Sequence, residues 1–110
     1  MSILEELTNI LSHVLPVETG IFSDSAPNEY AVITPMSDVF EVYADNRPQI
    51  EVQEARISVF SKGNYRQLVK KITSALLIED FTITSRRYNG YETDTQYHHY
   101  SIDVAKEYMF

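Results

Sequence analysis

The chain of 110 residues contains no cysteine. That excludes a disulfide scaffold, thiol catalysis and any thiolate metal site, and it accords with a reducing compartment. Its three glycines are widely scattered, so no phosphate-binding loop of the GxGxxG or GxxxxGK type can form. The G-x-S-x-G nucleophile elbow is missing as well. The longest aliphatic run, Ala75-Leu76-Leu77-Ile78, falls far short of the ~20 residues that span a bilayer. The N-terminal stretch Met-Ser-Ile-Leu-Glu-Glu is acidic where a signal peptide is basic. No membrane partner and no export by that route are therefore expected. Bases are scarce too: nine against sixteen acids, for a net charge of −7. Such a balance suits nucleic-acid binding poorly, because phosphate contacts depend on clustered Lys and Arg.

What is present is ordinary globular material, 44% hydrophobic and 23% charged, enough for one domain over residues 1–110 with its own core. Charge is distributed unevenly. Residues 1–55 hold ten acids and one base, Arg47, whereas residues 56–110 hold six acids and eight bases. A solvated surface accounts for this blandly; the functional alternative is a polarised surface that meets a complementary one.

Ser2 and Glu5 have capping-box spacing. From Ile3 to Leu15 apolar residues recur every three or four positions, predicting a helix stopped by Pro16. The period then changes to two. A short strand is expected to end at Gly20–Phe22, with further strands at Tyr30–Thr34 before Pro35, at Val39–Ala44, and over the long stretch Gln49–Ser61. In that last stretch the apolar phase slips near Gln53-Glu54, which a β-bulge would absorb. Asn64 and Gln67 open a second helix with Tyr65, Leu68, Val69, Ile72, Ala75 and Leu76 on its inner stripe, ending at Glu79-Asp80. Phe81–Tyr88 and Tyr97–Lys106 read as closing strands, with Asn89-Gly90 as a turn signal and the polar stretch Tyr91–Gln96 as a hairpin tip. The order α-β-β-β-β-α-β-β predicts an α+β fold, a mostly antiparallel sheet with two helices packed on one face. Ile57 and Val59 should lie beneath the second helix.

Candidate chemistry is sparse. His98 and His99 are adjacent on a strand and point to opposite faces, so they cannot easily share a metal ion. His13 suits a helix C-terminus without further duty. Arg86 and Arg87 beside Tyr88 and Tyr91 could imitate a nucleic-acid stacking patch, but two arginines in so acidic a chain more often form a salt-bridged strand. No spacing singles out a carboxylate pair for acid–base work. No enzyme activity, cofactor or metal is expected.

Several stretches carry a resemblance. They are Tyr30-Ala31-Val32-Ile33-Thr34 before a proline, Val42-Tyr43-Ala44-Asp45-Asn46, the run Glu54 to Ser61 followed by Gly63-Asn64-Tyr65, and the closing Tyr97 to Val104. With the short N-terminal helix they resemble the tail-to-head joining and tail-completion (tail-terminator) proteins of long-tailed bacteriophages. The resemblance implies an α+β subunit of a homo-oligomeric six-fold ring that caps the tail tube. Such a ring meets a neck or head-completion protein and leaves an axial channel through which DNA passes without specific contact. It also implies a place in the virion at the head-proximal end of the tail, after assembly in the host cytoplasm, and is compatible with a monomer before assembly. Alternatives are another neck component, such as a head-completion protein, and less favourably a small partner-binding module or enzyme. The candidate interface or channel residues are Asp38, Glu41, Tyr43, Asp45, Arg86, Arg87, Tyr91, Glu92 and Asp94. Asp38, Glu41 and Asp45 are expected to face either the channel or a neighbour bearing Arg86, Arg87 or Lys106.

Overall fold

Ser2 caps the first helix as its spacing predicts. In the computed structural model, which describes residues 2–18, 27–44 and 46–110 without the side chains of Val42 and Tyr43, helix α1 runs Ile3–Leu11. The Ser2 hydroxyl accepts the Glu5 backbone N–H at 3.2 Å. Ile3, Leu7 and Leu11 form its buried stripe. The helix ends one turn earlier than Pro16 alone would require. The chain still turns there, and the Leu15 N–H bonds the Leu11 carbonyl at 3.1 Å.

Five strands form one sheet in the order β1-β2-β3-β5-β4: β1 (Val17–Glu18), β2 (Glu29–Ala44), β3 (Arg47–Ser61), β4 (Thr82–Glu92) and β5 (Tyr97–Met109). Only the two-residue β1 runs parallel to its neighbour, so the sheet is mostly antiparallel. Helix α2 (Tyr65–Ile78) connects β3 to β4. The strand expected at Gly20–Phe22 lies outside the described residues.

Three local expectations change. The strands foreseen on either side of Pro35 are one strand, β2, with its register shift between Pro35 and Ser37. Proline cannot donate to a ladder but is tolerated at an edge or a bulge, and here it sits at a bulge, past the described pairing of β2 with β1. Strand β3 carries no bulge at Gln53-Glu54: it pairs with β5 without interruption from Ile50 to Ser61. Ile50 and Val52 therefore lie on the sheet face opposite Ala55, Ile57 and Val59. The apolar phase changes because the apolar residues move to the other face of an unbroken strand, not because the backbone of β3 slips. Asn89-Gly90 does not turn the chain either. Gly90 has φ 124° and sits beside a register shift within β4, the conformation glycine permits without a Cβ penalty. The reversal comes later, ending at Gln96 with φ 66°, so Tyr91 and Glu92 belong to the strand.

Both helices cover one face. Ala31, Ile33, Ala55, Ile57, Val59, Ile102 and Val104 lie in a single core with Ile3, Leu7, Leu11, Leu68, Val69, Ile72 and Leu76. The layering is α+β, and Ile57 and Val59 are buried with the inner stripe of α2 as expected. That helix starts at Asn64, whose side chain accepts the Gln67 N–H at 3.2 Å. It ends in a Schellman motif: Phe81 N–H bonds the Leu76 carbonyl at 3.1 Å and Asp80 N–H bonds that of Leu77 at 3.2 Å. The price of that closure is Asp80 in the left-handed region, φ 65°.

Candidate functional site

Sequence dictates where the sheet outgrows its cover. The helices shelter the part of the sheet around Ile57, while β2, β3 and the end of β5 continue beyond it as a three-stranded arm. The molecule is accordingly elongated, 54 × 27 × 23 Å. The root of the arm is fastened to α1: the Ile3 N–H donates to the Gln53 side-chain carbonyl at 2.7 Å. Lys106 binds the Glu6 carboxylate and donates to the Glu79 carbonyl at 2.8 Å. Tyr108 donates its hydroxyl to Glu6 at 3.2 Å. Burial, then the adjacent Glu6 charge, raises the Tyr108 pKa well above its ordinary value. Lys106 is thus engaged within its own chain.

Farther out, the arm has little cover. Met36, Val39 and Phe40 on β2 and Met109 and Phe110 at the end of β5 are exposed, and the Phe40 ring meets the Phe110 ring edge-on at 4.7 Å. Asp38 and Glu41 stand among them, opposite Gln53 and Ile50. Being three positions apart they point to opposite faces. Both are exposed. Tyr43 belongs to β2 with its side chain outside the description, and Asp45 lies outside the described residues.

At the other edge of the sheet α2 and β4 enclose a groove of about 430 Å³. Arg66, Lys70 and Arg86 line it, with Tyr65, Tyr88 and Tyr100 as aromatic wall. Arg86 reaches the helix side because it pairs with Ile102, a core residue, whereas Arg87 pairs with Ser101 and faces away. Tyr65, the first residue of α2, stacks on Tyr88 at 4.9 Å and lies 4.8 Å from His98. The Tyr88 hydroxyl is 2.9 Å from His98 Nδ1, and Tyr91 packs on the same imidazole at 4.8 Å. Glu92 closes β4, and its carboxylate accepts the Thr95 hydroxyl at 3.4 Å. Asp94 is exposed in the turn between β4 and β5.

The uncovered face of the sheet carries a second aromatic group. Phe60 lies between Tyr30, stacked at 4.8 Å, and His99, stacked at 4.5 Å. Burial lowers the His99 pKa, with Arg56 acting in the same direction and Glu92 against it. His99 Nε2 is buried with no hydrogen-bond partner among the described residues. Beside this group Arg56 forms a forked pair with Asp103, at 2.8 and 3.1 Å. His98 and His99 do point to opposite faces. Among the described residues no three His, Asp or Glu side chains form a metal-binding group.

The sequence-named residues thus fall into two separate sets, Asp38 and Glu41 on the arm, and Arg86, Tyr91, Glu92 and Asp94 at the β4 edge. Sequence reasoning missed Arg66, Lys70 and Tyr65 as companions of Arg86. The available signal was their spacing along α2, which puts Arg66 and Lys70 on one side of the helix. No protein-family model matches the chain, and no curated protein matches it.

Proposed function

We propose that this protein is a structural ring subunit that terminates the tail tube of a long-tailed bacteriophage and joins it to the neck. In this reading it is not an enzyme, and its partners are further copies of itself, the tube protein and a neck protein. One observation carries the reading. The arm extends β2, β3 and β5 beyond their helical cover and displays Met36, Val39, Phe40, Met109 and Phe110 to solvent, an arrangement that costs an isolated domain solubility and gives an assembling one its contacts. A subunit that closes a ring needs two different surfaces that fit each other. The arm and the β4 edge are two such surfaces. Net negative charge also suits a channel lining, because like charge keeps DNA from adhering.

The test is electron microscopy of the purified protein incubated with tubes grown from the tube protein encoded beside it. Rings seated at one end of tubes that have stopped growing are expected. Tubes that continue to lengthen, with no added density at either end, overturn the assignment.

A further inference from the structure

We infer that the acidic arm of one copy seats in the basic groove between α2 and β4 of the next, joining copies head to tail. The contact takes its biological setting from the ring-subunit reading above and supplies the joint that such a ring needs.

Charge complementarity is the first support. Residues 36–54, which span the arm portions of β2 and β3, hold five acids and one base, a net −4. Residues 62–88, comprising α2 and most of β4, hold six bases and two acids, a net +4. These opposite charges do not neutralise each other inside the chain. Among the described residues the ion pairs are Arg56–Asp103 and Lys106–Glu6. Asp38, Glu41, Arg66, Lys70 and Arg86 take part in neither. In a chain of net charge −7, three bases lining one groove without a carboxylate beside them are conspicuous. Association between acidic copies requires such a local reversal of sign.

Shape is the second support. The groove is not merely charged: Tyr88 in its wall remains 42% exposed, and Tyr91, on the His98 ring that Tyr88 also meets, 49%. The arm interleaves its acids with apolar side chains of similar exposure, Val39 at 51% and Phe40 at 42%. Aromatic and aliphatic contact with charged pairs around it is the usual anatomy of a protein interface.

Topology then decides between self-contact and contact with a second copy. Strands β2 and β4 lie on opposite sides of β3 and β5, three strand spacings or about 14 Å apart. The arm also points away from the groove along the sheet. A chain cannot place its own arm in its own groove. A contact between unlike surfaces on identical subunits is heterologous, and it propagates until it closes into a ring or runs on as a filament.

The absence of cysteine makes the joint directly testable. A Glu41→Cys variant mixed with a Lys70→Cys variant under mild oxidation should give a disulfide-linked dimer containing one of each, identified by mass. Mixing Glu41→Cys with Asn9→Cys, on the exposed side of α1, is the control. A charge swap provides the second measurement. Glu41→Lys and Lys70→Glu should each weaken self-association about tenfold at low salt, and the two in one chain should restore much of the loss. High salt should diminish all of these differences.

Mixed cross-links no more abundant than the control overturn the contact, as do single charge variants that assemble normally. If duplex DNA, and not a second copy, protects the Lys70→Cys thiol from maleimide, the groove belongs to nucleic acid and the contact is likewise overturned. The two readings fail separately. Tube capping by single charge variants that is as good as wild type removes the joint and keeps the terminator. Mixed cross-links from a protein that never caps tubes keep the joint and remove the terminator.

Discussion

Strand β3 has two halves that differ in what lies over them. At Ala55, Ile57 and Val59 the helices shelter one face so fully that exposure is 0–1%. A few residues earlier the same strand carries Ile50 and Val52 on the opposite face, half-buried, with Val52 opposite a Val39 that is 51% exposed. The hydrogen-bond ladder to β5 is continuous across both halves. Apolar residues in a strand therefore do not by themselves define a core. They define one only where another layer excludes water from them. The body supplies its own second layer; among the described residues the outer arm has none, and Val39 and Phe40 stay exposed there.

The sharpest way to break this comparison is to delete methyl groups from each half. Ile57→Ala should lower stability by about 2–5 kcal/mol through lost transfer energy and an unfilled cavity. Val39→Ala should stay within about 0.5 kcal/mol, the usual range of exposed sites. Urea denaturation of the two variants decides the matter. A comparable loss at Val39 would mean the arm is part of the folding core.

A smaller effect with opposite sign tests the closure of the body. Asp80 holds a left-handed conformation so that Leu76 and Leu77 can find donors at the end of α2. A residue with a Cβ pays about 1–2 kcal/mol for that conformation, whereas glycine adopts it freely but loses more chain entropy on folding. Asp80→Gly should therefore stabilise by up to about 1 kcal/mol in the same urea assay. A destabilised variant would show that the aspartate side chain contributes more than its backbone costs.

Legibility in the sequence follows the same division. Both helices were readable, because their caps are local and their stripes repeat at a fixed period. Ser2, Asn64 and the burial of Leu68, Val69 and Ile72 needed no knowledge of distant residues. Pro35 misled because the effect of a proline depends on whether its strand lies at an edge, which is a property of the whole sheet. The slip at Gln53-Glu54 misled for a related reason: a bulge and an unbroken strand whose apolar residues change face leave the same pattern. Gly90 marked an irregularity correctly but not its kind. As for the site, Asp38, Glu41 and Arg86 were visible as exposed charges. The groove was not, since it exists only where α2 returns across β4 and brings Arg66 and Lys70 to Arg86.

The least disruptive test concerns protons rather than packing and asks whether the uncovered face of the body behaves as an interior. His99 stacks on Phe60 with its Nε2 enclosed and unpartnered among the described residues. Burial pulls its pKa below the ordinary 6.5, against an opposing pull from Glu92 and with a smaller push in the same direction from Arg56. The sign follows directly. In the window just below pH 6.5 the unfolded chain has taken up a proton at this position and the folded chain has not. The unfolded state binds more protons there, so stability falls as pH falls through that window. Replacing the imidazole by a phenyl ring keeps a flat ring against Phe60 and removes the proton site. The His99→Phe variant should lose less stability than wild type between about pH 8 and about pH 5, the span in which histidine titrates. Carboxylates common to both proteins cancel in the difference. Equal losses would show that His99 takes its proton as readily folded as unfolded, and that the uncovered face, despite its aromatic stacking, is as wet as the arm.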